Sequence, residues 1–371
     1  VADLPYLTAD LPGTGGALRT TPDDFFVDEE PAYQPAGTGE HVMVRIEKRD
    51  LNTAQVVAAI ARALAIGERD VGVAGMKDRR AVARQWLSLP PPATPEQVLA
   101  LALPGITVLE AARHGNKLRT GHVRANRFRL RVRGVSADAS ARARAVLAAL
   151  AEVPGAPNWY GEQRFGRDGD NAARGRELLR GGRGGRGPRA RRLERLMISA
   201  LQSELFNAWL GARLADGLYR EAIVGDVLHK VGGGQFVCED AALETARLHA
   251  GELVVTGPMF GDRMRRPPEG TPAAAREAAI LDAAGLAADA FAAVRAIAEG
   301  TRRDATLALT DVTVGELGDD GALEVGFTLP GGAYATIVMR EVMKDWPLDA
   351  PREAIEREDE GGSAEDEAAQ A

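Results

Sequence analysis

Strand-like segments stand at both ends of this chain, and a stretch patterned for helices lies between them. Val42, Val44 and Ile46 alternate with Met43, Arg45 and Glu47, the period of a half-buried strand. Residues 17–50, 71–74, 86–89, 106–112 and 127–134 contain the strand-like segments of the first part, and 307–316 and 322–329 bring strands back late in the chain. Helices are predicted over 52–66, near 95–103, across 137–151 and around 335–344. In the first of these, Asn52 can cap the helix, and Val56, Val57, Ile60 and Leu64 share its buried face. In the middle, Leu193, Met197, Leu201 and Leu205 recur every four residues, and 272–299 reads as a pair of Ala-rich helices. Strands and helices mixed without regular βαβ alternation predict an α+β sheet rather than a doubly wound one. Pro154 to Pro157 mark where the pattern changes. The expected path is a mixed-sheet domain with flanking helices, residues 1–156 and 306–348, interrupted by a mainly helical domain over 157–305.

The net charge of −7 conceals the charge pattern. Residues 349–371 hold nine acids and two arginines, which accounts for all of it, so residues 1–348 carry 44 basic and 44 acidic groups. That acidic tail has no aromatics and is expected to be disordered. The neutral remainder is locally biased: 113–133 contain eight Lys or Arg and no acid, and 164–195 contain eleven Arg against four acids. Two such segments suit a phosphate backbone. The ratio of 41 Arg to 5 Lys is explained equally by a GC-rich coding bias. No apolar run reaches a membrane span of about 20 residues, and no signal-peptide layout opens the chain. A single cysteine, Cys238, excludes an internal disulfide and makes a reducing cytoplasm the expected compartment. Five histidines without ligand spacing predict no zinc site.

The run Gly75-Met76-Lys77-Asp78-Arg79-Arg80-Ala81-Val82-Ala83-Arg84-Gln85-Trp86 sets one carboxylate among four cationic side chains. Nearby positive charge favours the ionised form of a carboxylate. On charge alone the run is equally a solvated turn with a local ion pair. Four other clusters accompany it: Pro22–Glu29 after Arg19, the basic stretch His114–Phe128 ending in Asn126-Arg127-Phe128, Pro157–Gly166 with aromatics interleaved with Arg, and Leu329–Thr336 around Tyr334. Taken singly, Phe25, Phe128 and Tyr334 read as core aromatics, Asn126 as a turn residue and Arg19 as a solvated charge.

In this order, and with Gly-x-Lys-Asp and Tyr-Gly-x-Gln-Arg-Phe-Gly intact, the clusters resemble the TruD family of tRNA pseudouridine synthases from about Gly13 to Arg340. The resemblance implies a pseudouridine-synthase catalytic domain interrupted by a family-specific inserted domain. It implies a tRNA substrate, a uridine at position 13 of the D-arm, and no metal or organic cofactor. It makes Asp78 the essential aspartate, the nucleophile, with Arg19, where many members have Lys, as a supporting charge. Phe128 would stack on the flipped base, Asn126 would hydrogen-bond it or its ribose, and Phe25 and Tyr334 would line the same pocket. Lys77, Arg79, Arg84, Lys117, Arg119, Arg124, Arg164 and Arg167 are the candidates for RNA backbone contact. His114 and His122 are expected to be structural or phosphate-facing. No obligate protein partner and no membrane are implied. A non-catalytic tRNA-binding protein or chaperone would share the basic surface, and a nucleoside hydrolase would share the aspartate.

Overall fold

The computed structural model describes residues 4–166, 168–181 and 187–344. The expected acidic tail at 349–371, residues 182–186 within the Arg-rich stretch 164–195, and Arg167 lie outside the described residues. The first part of the chain runs β1 (Phe25–Pro31), β2 (His41–Arg49), α1 (Thr53–Leu64), β3 (Gly72–Val73), β4 (Val82–Leu89), α2 (Pro95–Leu99), β5 (Ile106–His114), β6 (Val123–Val132) and α3 (Ala139–Ala151). The middle runs β7 (Ala156–Pro157), α4 (Asn171–Leu179), α5 (Pro188–Ala215), β8 (Val227–Lys230), β9 (Gln235–Val237), α6 (Ala241–His249), β10 (Leu253–Met259), α7 (Pro272–Ala283), β11 (Thr301–Asp304) and β12 (Thr306–Leu307). The last part is β13 (Thr310–Leu317), β14 (Leu323–Pro330) and α8 (Ala335–Met343). None of the described helices is long and apolar enough to cross a membrane.

The described residues divide into two compact units. Residues 12–145, 310–332 and 342–344 form a sheet unit, and residues 4–11, 146–309 and 333–341 form a helix-rich unit. The division passes through α3 and α8. In the sheet unit an eight-stranded mixed sheet has the order β13-β14-β6-β1-β4-β2-β5, with β3 paired to β4. Among the described strands of this sheet only β1 and β4 run parallel, with Phe26 opposite Val82, and the late hairpin β13-β14 lies beside β6 of the first part. Asn52 caps α1 through a hydrogen bond from Gln55, whose side chain returns one to the Asn52 N–H. Val56 and Ile60 then pack on Val42, Val44, Ile46, Leu87 and Leu89, all of them buried. Burying each such side chain is worth roughly 1.5–3 kcal/mol.

The helix-rich unit carries, besides its helices, a second sheet of order β11-β10-β8-β9 to which the sequence assigns no strands. Its strands are short, and β10 is buried along almost its whole length, so no polar alternation marks it. Phe206, Trp209 and Leu210 of α5 share the core of this unit with Leu228, Leu253 and Val255. Of the two Ala-rich helices expected over 272–299, only α7 is α-helical. Gly285 takes φ +65° and ends it, with the Leu286 N–H bonded back to Leu281, and Ala290–Val294 forms a short 3-10 turn.

Candidate active site

Period-two alternation determines what faces the site. On β1, Phe25, Val27 and Glu29 are buried, and on β6 Asn126, Phe128, Leu130 and Val132 are buried between the exposed Arg127 and Arg129. The two strands pair antiparallel with Val27 opposite Phe128 and Glu29 opposite Asn126, so these side chains share one face. Phe25 meets Phe128 edge-on at 6.0 Å between ring centroids, and Phe128 lies against Phe327 of β14 at 5.7 Å. Arg19 precedes β1 at φ +54°, a conformation that side-chain-bearing residues seldom adopt and that costs about 1–3 kcal/mol. Its guanidinium lies 4.3 Å over the Phe25 ring and is 8% exposed.

Asp78 follows β3 on an irregular turn, its side chain 45% exposed. Gly72 makes the approach to that turn possible, because a Cβ there would run into the Ser88 hydroxyl and the Leu118 carbonyl. The turn is held from several sides. The Gly121 N–H donates to the Ala74 carbonyl at 3.1 Å. The Lys77 N–H donates to Thr53 Oγ1 at 2.8 Å, and that hydroxyl donates to Gln85 Oε1 at 3.0 Å. The Lys77 ammonium pairs with the fully buried carboxylate of Glu29, whose other oxygen accepts from the Trp86 N–H at 3.1 Å. The Lys48 ammonium donates to the Asp78 main-chain carbonyl. Arg19 Nη2 donates to Asp78 Oδ2 at 3.0 Å. Asn126, 8% exposed, has a buried Oδ1 with no hydrogen-bond partner among the described residues.

The structure therefore brings Arg19 into direct contact with both Asp78 and Phe25 and adds Phe128 through Phe25, with Asn126 on the same face two residues before it. Tyr334 belongs to the other unit, where its ring lies 6.3 Å from Tyr160. Of the residues expected on an RNA backbone, Lys77 turns inward: its side chain is 8% exposed and its charge is spent on Glu29. Arg84 alternates with Ala83 and Gln85 and so stands on the opposite face of the sheet. There it pairs with Glu47 at 2.8 Å, and Phe26 lies between its guanidinium and that of Arg129. Arg124 pairs with Glu30 at 2.7 Å, Arg79 lies 3.6 Å from Asp50, and Lys117 Nζ donates to the Arg69 carbonyl at 2.6 Å. Arg119 is exposed, and Arg164, in the helix-rich unit, donates to Ser203 at 3.0 Å. His114 stacks on Tyr33 at 5.0 Å, and the Tyr33 hydroxyl is 2.7 Å from His122 Nδ1.

The candidate residues leave out four members of this site: Glu29 and Gln85, which lie within the motifs, and Lys48 and Thr53, which lie outside them. For the two charged ones a signal did exist. Glu29 falls on the Phe25–Val27 phase and Lys48 on the Val44–Ile46 phase, and a charge on the apolar phase of a strand is buried with a partner.

Burial pushes the Lys48 ammonium down from 10.5 to about 8; Asp78 and Asp50 resist the fall and Lys77 adds to it. Between those two values the unfolded chain binds a proton that the folded one does not, so this group's contribution to stability increases with pH there. The gap in unfolding free energy between wild type and Lys48→Met is therefore expected to shift toward wild type from pH 7.5 to about pH 10. Denaturation of both proteins at the two pH values checks this, and a gap independent of pH contradicts it.

Comparison with known proteins identifies the family of the chain. The model of the family TruD, tRNA pseudouridine synthase D, matches residues 2–183 and 189–342. The tRNA pseudouridine synthase D of an Anaeromyxobacter dehalogenans strain is 52% identical over 348 residues, covering 93% of this chain and 97% of that protein. That of a Thermus thermophilus strain is 41% identical over 346 residues, covering 93% of each. A crystal structure of a Methanosarcina mazei protein described as tRNA pseudouridine synthase D has a TM-score of 0.74 at 22% identity, covering 94% of this chain and 98% of that one. At that identity the likeness concerns the fold.

Proposed function

This chain belongs to the TruD family of tRNA pseudouridine synthases, isomerases of uridine in tRNA, and we propose that its target is uridine 13 of the D-arm and that Asp78 starts the reaction. The observation that carries the proposal is the Asp78 carboxylate on an accessible turn, bonded to an Arg19 that itself lies over Phe25 and so joins the acid to the Phe25–Phe128 pair. A uridine held within the stack is out of reach of such a group, so the base leaves the stack and lies on an aromatic surface. Phe128 provides that surface. Asn126, with its partnerless buried Oδ1, provides a hydrogen-bond acceptor for an imide N–H or a ribose hydroxyl.

Isomerisation breaks the N1–C1′ bond and forms a C5–C1′ bond. The hydrogen on C5 leaves as a proton and N1 gains one, so atoms and electrons balance without an oxidant or an energy source. A carboxylate is charged at neutral pH and acts without an activating base. Arg19 fixes its orientation and supplies positive charge beside it. Tyr334 is proposed as a further lining residue and Arg119 as a contact for the backbone.

The test is to incubate unmodified tRNA with the protein and map pseudouridine along it. A single new pseudouridine at position 13 is expected; modification confined to another position overturns the D-arm assignment, and free uracil as product points to a hydrolase. Binding should weaken with salt, but less steeply than the composition suggests. Eight free cations in 113–133 would give a slope of log affinity against log salt of about −6 to −7. Arg124 and Arg127 pair with Glu30, and Arg131 and Arg133 pair with Asp320, so a shallower slope is expected from filter-binding measurements.

A further inference from the structure

Lys48 is the charged side chain of this site that no motif marks and no reaction step yet uses. It lies on β2 with 0% exposure, where most charged residues are excluded unless paired. Its register partners, Ala83 on β4 and Ile106 on β5, bring it no charge. The charged groups that act on it are Asp78 and Lys77 of the turn and Asp50 just beyond β2. Its ammonium donates to the carbonyl of Asp78.

We propose that Lys48 is a positioning residue for Asp78: by holding the main-chain carbonyl of the turn against the sheet, it sets the direction in which the carboxylate projects. This rests on the reading of Asp78 as the group that starts the reaction. The turn has no strand or helix ladder to fix it, and beyond the main-chain bond from Gly121 to Ala74 its anchors are side chains. Thr53 holds the peptide on the N-terminal side of Lys77, Lys48 holds the carbonyl of Asp78, and Arg19 holds the carboxylate itself. Removing the middle anchor leaves the acid tethered at its tip but less firmly set at its root. A displacement near 1 Å at a reacting group costs about 100-fold in rate. The fold by itself gives no reason for the charge, since a methionine of similar length would occupy the same apolar space without the cost of burying an ammonium. The buried charge is kept for what it holds.

The test is single-turnover pseudouridine formation at saturating enzyme for wild type, Lys48→Met, Lys48→Arg and Asp78→Asn, with tRNA affinity and melting temperature measured alongside. Lys48→Met is expected to lose about 10- to 100-fold in rate, with affinity within twofold of wild type and no fall in melting temperature at pH 7.5. Lys48→Arg is expected to recover several-fold over Lys48→Met. The wild-type rate should fall as pH rises through about 8, the value to which burial lowers this ammonium, and Lys48→Met should show no such limb. A Lys48→Met rate within twofold of wild type, beside an inactive Asp78→Asn, overturns the positioning role and leaves the Asp78 reading standing. An active Asp78→Asn overturns both. If Lys48→Met does not fold, Lys48→Arg decides: its guanidinium stays charged, so an alkaline limb moved upward from wild type supports the role, and an unmoved or absent limb overturns it.

Discussion

Asp78→Asn is expected to lower pseudouridine formation by at least about 1,000-fold, the scale seen when a group that acts directly on the reacting atoms is removed. The exchange keeps the size of the side chain and an oxygen that can still accept from Arg19 Nη2, 3.0 Å away in the wild type. The Lys48 bond to the main-chain carbonyl and the Lys77 bond to Thr53 do not involve the carboxylate, so the turn keeps its other anchors. Melting temperature and tRNA affinity should therefore stay near wild type while the reaction stops. The measurement is the initial rate of pseudouridine formation in tRNA with each protein. A rate near wild type for the Asn variant would remove Asp78 from the mechanism and leave tRNA binding as the function of this constellation. Loss of binding together with loss of reaction would reduce the acid to a structural member of the turn.

Glu29→Ala is expected to cost stability on the order of 3–5 kcal/mol, because it removes one partner of a buried pair and leaves the other. Two groups lose their acceptor at once: the Lys77 ammonium, in a side chain only 8% exposed, and the Trp86 N–H inside the sheet. Lys77 carries the backbone N–H that anchors the Asp78 turn on Thr53, so the loss reaches the candidate site. The rate is expected to fall along with the melting temperature. Replacing both members, Glu29→Leu with Lys77→Met, removes the uncompensated charge but leaves the Trp86 N–H without that acceptor, so part of the stability should return but not the rate. Urea denaturation of the single and double variants separates the two contributions. A Glu29→Ala protein within about 1 kcal/mol of wild type would show that the pair is not held as described.

The strands of the sheet unit are largely legible in the sequence, because their alternation survives there: Val42, Val44 and Ile46 point one way and their neighbours the other. The helix over 53–64 was legible for the same reason, with Asn52 as its cap. The sheet of the helix-rich unit was not, since β8 and β9 have only four and three residues and β10, of seven, is buried along almost its whole length, so none leaves a period to read. The charge count over 113–133 overstates the cations that stand without an acid. Half of those cations meet acids that come from β1 and from the β13–β14 hairpin, and no window of sequence contains both partners.

The set of chemically able residues, and the family they mark, are properties of the sequence alone. Order and spacing of motifs are one-dimensional, and they single out Asp78, Arg19, Phe25, Asn126 and Phe128 without any geometry. Which cations serve the acid was settled in three dimensions. Four cationic neighbours flank Asp78 in sequence, yet the guanidinium on its carboxylate comes from Arg19 and the ammonium on its carbonyl from Lys48. Lys77 turns to Glu29, and Arg84 stands on the other face of the sheet. Electrostatic contacts act over a few ångströms of space, whereas strand pairing sets side by side residues that lie tens of positions apart in the chain.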